Sequence, residues 1–276
     1  MKNIIVILSL LLSLNIFAEE KKELTILHTN DTHSCILPRN TNLADTTLAG
    51  RGGFLRRITM LKEERKKDPE LLYFDSGDFF QGSAFFTLFR GEVEIKLMNE
   101  MKIDAAALGN HEWDAGMEGL AKLLPQATFP VVCANLDFSG TPLNGIVKPY
   151  VVVKRKGLKI GVFGLSPQLE GLVDKGAYGD VKYSDPSACA NKTAALLKEK
   201  EKCDLVICLS HLGWSEKGDK AVIRASKDID LLLGGHSHTW LKTLEYVENA
   251  DGRQIPVSQN GKSAVYVGKI MMEITR

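Results

Sequence analysis

Five of the six histidines in this chain, His33, His111, His211, His236 and His238, stand just after short apolar runs and beside Gly, Asp, Asn or Ser. Histidines scattered through a core or over a surface would not all choose that position. Each neighbourhood adds another donor or a turn: Asp31 two residues before His33, Asp78 closing Asp75-Ser76-Gly77-Asp78, Asn110 before His111, and Gly234-Gly235 before His236 and His238. Singly these signals are weak, since Asp31 suits an ordinary turn, Asp75 a cap and Asn-His a polar loop. Together they supply two Asp, one Asn and at least four His, all nitrogen or oxygen ligands with no thiolate required. That exceeds the needs of one tetrahedral ion and suits two divalent cations, Zn, Mn or similar, bridged by a carboxylate. Asp78 is a better ligand candidate than Asp75, and His28, inside a strand, reads as structural.

Apolar strand, tight polar turn, then helix is where open α/β folds place their chemistry. Apolar or alternating runs predict strands at 23–28, 71–74, 104–108, 129–135, 204–209, 230–233 and 264–275, and a hairpin of 150–155 and 158–164 turned at Lys156-Gly157. Helical spacing marks 54–67, with Phe54, Leu55, Ile58 and Leu61 on one stripe, and 92–101, with Ile95, Met98 and Met101 inward. Shorter helices are expected at 115–124, closed by Pro125, and from Pro186 to about Lys202, capped by Asp185 or Ser184. Residues 43–53 read as a polar loop.

Lys plus Arg is 35 against 34 for Asp plus Glu, so bulk charge points to no nucleic-acid or membrane partner. Five cysteines form no CxxC pair, and Cys133, Cys203 and Cys208 lie in or beside apolar runs as buried thiols. Lys2, the apolar run from Ile4 to Phe17, and Ala18 before Glu19-Glu20 describe a secretory signal cleaved after Ala18; an uncleaved anchor is the competing reading. The expectation is a signal peptide at 1–18 and one domain at 19–276, exported to the periplasm or secreted, with no membrane contact after cleavage.

In this order, Asp31-x-His33, Gly77-Asp78, Gly109-Asn110-His111-Glu112, Ser210-His211 and Gly234-Gly235-His236-x-His238 resemble the calcineurin-like metallophosphoesterase superfamily. "LHTNDTH", "DSGDFFQGS", "ALGNHEWDAG", "LSHLG" and "LLGGHSH" are similar to the N-terminal metallophosphatase domain of secreted bacterial 5′-nucleotidases. The resemblance covers nearly all of the chain after the signal. It implies a four-layer α/β/β/α sandwich of two mixed sheets flanked by helices. It also implies that Asp31, His33 and His238 hold one ion, that Asn110, His211 and His236 hold a second, and that Asp78 bridges them. His111 would be the catalytic histidine, oriented by Asp114, with Asn110 and His111 also touching the substrate phosphate. Many secreted 5′-nucleotidases carry Gln where this chain has His238, which loosens the nucleotidase assignment more than the metal site. The family's usual C-terminal domain, which carries nucleotide specificity, has no counterpart before Arg276. Three functions follow as expectations: hydrolysis of small-molecule phosphomonoesters, foremost nucleoside 5′-monophosphates; a phosphodiesterase, for example on 2′,3′-cyclic nucleotides; or a metal-bearing subunit whose specificity comes from a separately encoded partner domain. Trp113, Trp214 and Trp240 are either a substrate wall or packing residues.

Overall fold

A computed structural model describes residues 21–275. The signal segment expected at 1–18 lies outside the described residues.

Strands Leu72–Asp75, Ala105–Ala107, Leu205–Ser210 and Leu231–Leu233 are buried at every position. Runs apolar on both faces need cover on both faces, and this chain supplies it with two mixed sheets stacked between helices. The first sheet runs in the order Gly268–Thr275, Lys21–Thr29, Leu72–Asp75, Ala105–Ala107, Val131–Val132. Its opening pair is antiparallel, Lys21 opposite Thr275 and His28 opposite Gly268, and the others are parallel. The second sheet runs Glu245–Glu248, Gln254–Ser258, Leu231–Leu233, Leu205–Ser210, Leu158–Leu165, Tyr150–Arg155, antiparallel only at its two edges.

The inner faces interdigitate through Ile26, Phe74 and Ala105 from one sheet and Ile160, Ile207 and Leu233 from the other. Outside the first sheet, Leu27, Tyr73 and Ala106 pack under helices Phe54–Lys67 and Glu92–Met101. Outside the second, Val206, Cys208 and Leu232 pack under Pro186–Glu199 and Asp219–Ala225. The layers are therefore α/β/β/α, as the family resemblance implied.

Helix Phe54–Lys67 has the predicted bounds, but Leu55 is 60% exposed and Arg57 takes the inward place. The stripe 54, 57, 58, 61 follows helical spacing, and residue 55 sits off it by about 100°. Helix Glu92–Met101 buries Ile95, Met98 and Met101 as expected. Asp185 is the cap of Pro186–Glu199, accepting from Ala188 N at 2.7 Å. That helix stops short of Lys202, whose φ of 56° is left-handed. The hairpin turn has left-handed backbone at both Lys156 and Gly157, the geometry that matches strand twist. All five cysteines are free. Among the described residues no helix is long and apolar enough to cross a membrane.

Candidate metal centre

The metal-ligand candidates lie on five loops, each leaving the end of a buried strand. Asp31 and His33 follow Lys21–Thr29, Asp78 follows Leu72–Asp75, and Asn110 follows Ala105–Ala107. His211 follows Leu205–Ser210, while His236 and His238 follow Leu231–Leu233. Both sheets contribute, so the loops meet where the two sheet ends come together. Asp31, His33, Asp78, His236 and His238 all have positive φ, from 45° to 72°. A non-glycine residue in that region costs roughly 1 kcal/mol, and such strain gathers at functional sites.

Backbone bonds weld the loops. Asp31 N donates to Gly77 O and His33 N to Asp78 O, both at 2.9 Å, and Ser263 N donates to Asp31 O at 2.7 Å. The Asp31 carboxylate accepts from His236 N at 3.0 Å and from Asn30 Nδ2 at 2.5 Å. Glu112 is fully buried and accepts four backbone N–H groups, from Asp78, Phe79, Phe80 and Gly109. Burial and the nearby Asp78 charge raise Glu112, while those four donors favour its charged carboxylate form.

Within this frame the donor atoms converge. One group is Asp31, His33 and His238, a second is Asp78, His211 and His236, and a third joins His33, Asp78 and His111; in each group the ligand atoms lie within 4.8 Å of one another. His238 Nε2 is 3.4 Å from Asp31 Oδ1, and the Nε2 atoms of His33 and His238 face each other at 2.9 Å. Gly109 and Gly235 leave the space: a methyl group on Gly109 would overlap the Asp78 carboxylate, and one on Gly235 would stand 2.7 Å from His211 Nδ1.

His211 tests whether a cation fits. Its Nδ1–H donates to Ser76 O at 2.7 Å, and its Nε2 stands 3.0 Å from Asp78 Oδ2, a pair of acceptors wherever Nε2 carries no proton. Two acceptors at that distance repel unless positive charge lies between them. Burial would lower His211, yet the Asp78 and Asp31 carboxylates raise it to about 10, a sign of how strongly the spot favours positive charge. Asp78, although buried, is held well below the usual carboxylate range by His211. Partial burial lowers His33 and His236, which keeps imidazole lone pairs free for a ligand. Asn110 Oδ1, His211 Nε2 and His33 Nδ1 are buried without hydrogen-bond partners. These orphans and this donor set fit divalent cations held by nitrogen and oxygen ligands.

His111 sits at the mouth of the cluster. Its N–H donates to Asp78 Oδ1 at 2.8 Å, its Nδ1 lies 2.8 Å from Asp114 Oδ2, and a third of its side chain is exposed. A cleft of about 250 Å³ opens there, lined by His33, His111, His238, Gln81, Arg39 and Lys262 among others. A small solute can thus reach His111 and the first ligand group together.

Every site residue expected from sequence lies on these loops. The three tryptophans do not form one wall. Trp113 is fully buried and stacks on Phe138, Trp214 lies under Lys220, and Trp240 stacks on Tyr266 at 4.3 Å. His28 is buried between Ser258 and Asn260 and is structural, as read. Sequence reasoning gave no role to Glu112, although it stood in the quoted motif. It also passed over Asp219, which is fully buried and accepts from Ser210 Oγ at 2.5 Å behind His211.

The family model for calcineurin-like phosphoesterase matches residues 24–240. A snake venom 5′-nucleotidase from Crotalus adamanteus is 34% identical over 269 residues, covering 89% of this chain and 44% of its own. The 5′-nucleotidase of Homo sapiens is 32% identical, covering 91% of this chain and 46% of its own. The crystal structure of a 5′-nucleotidase precursor from Thermus thermophilus superposes with a TM-score of 0.83 at 32% identity, over 91% of this chain and 51% of that one. The chain spans about half the length of the relatives it matches. On that match and this architecture, the chain belongs to the calcineurin-like phosphoesterase family.

Proposed function

We propose that this chain is an exported two-metal phosphomonoesterase, with nucleoside 5′-monophosphates as its foremost substrates. The observation that carries the proposal is the convergence of three donor groups, two of which share Asp78 and two of which share His33. In this reading Asp31, His33 and His238 would hold one divalent ion and Asn110, His211 and His236 the other, with Asp78 available to both sites. Such an ion pair, when bound, lowers the pKa of water and polarises phosphoryl oxygens. The chain's own groups do the rest. Asn110 and His111 orient the phosphate, and His111 donates a hydrogen bond to a phosphoryl oxygen or a proton to the departing alkoxide. Asp114 holds the His111 tautomer by accepting from Nδ1–H.

The nucleotide assignment rests on relatives about twice as long, so their remaining half is free to carry nucleoside recognition. The deciding experiment compares hydrolysis of AMP, a 2′,3′-cyclic nucleotide, and mono- and bis-aryl phosphates by the Mn²⁺- or Zn²⁺-loaded chain. AMP turnover well above the aryl monoester supports a nucleotidase. A preference for diesters replaces it with the phosphodiesterase reading. No turnover despite bound metal replaces it with a subunit that needs a partner. Export is tested separately by the N-terminal mass of the protein recovered outside the cytoplasm, which should begin at Glu19.

A further inference from the structure

Beside the metal cleft lies a larger, apolar one of about 440 Å³, walled by Ile36, Leu37, Pro38, Leu43, Ala84 and Phe85. The two adjoin, with Cys35 and Arg39 lining both. No carboxylate lines either cleft, whereas Arg39 and Lys262 face the metal side. No side-chain hydrogen bond or ion pair holds Arg39 among the described residues, so its guanidinium is free for a solute anion. Leu37 is 59% exposed, an apolar group left in water at the rim.

The apolar walls are fixed relative to the metal ligands. Ile36 is three residues beyond His33 and is tied at its other side, accepting from Phe54 N at 3.0 Å. Ser34 N donates to Phe79 O at 3.1 Å, and Ser34 Oγ lies 2.6 Å from Ser83 Oγ. Ser83 in turn caps helix Ala84–Phe89, accepting from Phe85 N at 3.1 Å, which places Phe85. A molecule with an anionic end at the metals and a flat apolar end would therefore span two preformed clefts.

We infer that the apolar cleft is the leaving-group subsite. It takes the planar apolar part of the alcohol esterified to phosphate, an aryl ring or the base of a nucleoside, while Arg39 at the junction holds the anionic end. This rests on the phosphoesterase reading and places part of its specificity in this chain.

Leu37→Ser and Phe85→Ala test it in the metal-loaded chain with phenyl phosphate, AMP and glycerol phosphate, alongside calorimetric binding of phenylphosphonate and methylphosphonate. Each substitution should lower kcat/KM for phenyl phosphate and AMP about tenfold, as expected for one lost apolar contact, and leave glycerol phosphate nearly unchanged. The Kd for phenylphosphonate should rise in step and that for methylphosphonate should not. Arg39→Ala should weaken both phosphonates alike. Equal losses on all three esters, or none, would overturn the assignment. If no ester is hydrolysed, the phosphoesterase reading has failed, and the titrations still decide the subsite: phenylphosphonate binding no tighter than methylphosphonate would sink it.

Discussion

Asp78 and His111 touch, yet their substitutions should separate. Asp78 belongs to two donor groups, so Asp78→Ala is expected to strip both metal and activity. His111→Ala keeps the three-residue groups around Asp31 and His211 intact and should retain metal while kcat falls about 10²- to 10⁴-fold. Metal content by atomic emission beside turnover checks this, and equal metal loss in both variants would refute the division. Glu112 gives a third case. Replacing it with Gln turns an amide N–H₂ toward backbone donors that need an acceptor, leaving buried N–H groups unpaired at about 1–3 kcal/mol each. Glu112→Gln should therefore weaken metal binding at least tenfold through the Asp78 loop, without losing a ligand. The contrast marks what a sequence can reveal. Asp31, His33, Asp78 and the later histidines declare themselves by donor type beside glycine after an apolar run. Glu112 serves N–H groups on residues 78–80, more than thirty positions away, and no local pattern encodes that service.

At the scale of elements, the strand-end turns are as exacting as the ligands. Gly109→Ala would drive a methyl group into Asp78, so metal affinity should collapse while far-UV circular dichroism stays unchanged. The strand Lys21–Thr29 carries a separate, pH-dependent liability. Burial lowers His28 from 6.5 to about 3, so between those values the unfolded chain binds the extra proton and the fold does not. Stability is full above about 6.5 and declines on acidification, by up to about 1.4 kcal/mol per pH unit from this residue. His28→Gln should flatten the dependence of Tm on pH across that window, and an unchanged slope would contradict the assignment. Helices Phe54–Lys67 and Glu92–Met101 were legible because their apolar stripes repeat at helical spacing. Strand Gln254–Ser258 was not, since Pro256 within it argues against a strand and its neighbour Glu245–Glu248 is mostly exposed. The short helices Ala84–Phe89 and Asp219–Ala225 are too brief for a period to emerge.

For the whole molecule, the candidate ligands come from both sheets, so metal bound among them would clamp the sandwich. Chelation should lower Tm, by an amount corresponding to about 4 kcal/mol when metal stood at a thousandfold its Kd, and readdition should restore it. A Tm unmoved by chelator would place the ions outside the folded core. The first sheet also closes by pairing the earliest described strand with the last, Lys21 against Thr275. Because the metal loops leave the Thr29 end of that pair, the chain's final residues run away from them along the full length of Gly268–Thr275. Any polypeptide continuing beyond that strand would set out about 25 Å from the mouth of the candidate site and on its far side. To cover the cleft it would have to double back over the sandwich, so the reach and stiffness of such a connector would govern how often the mouth stands open.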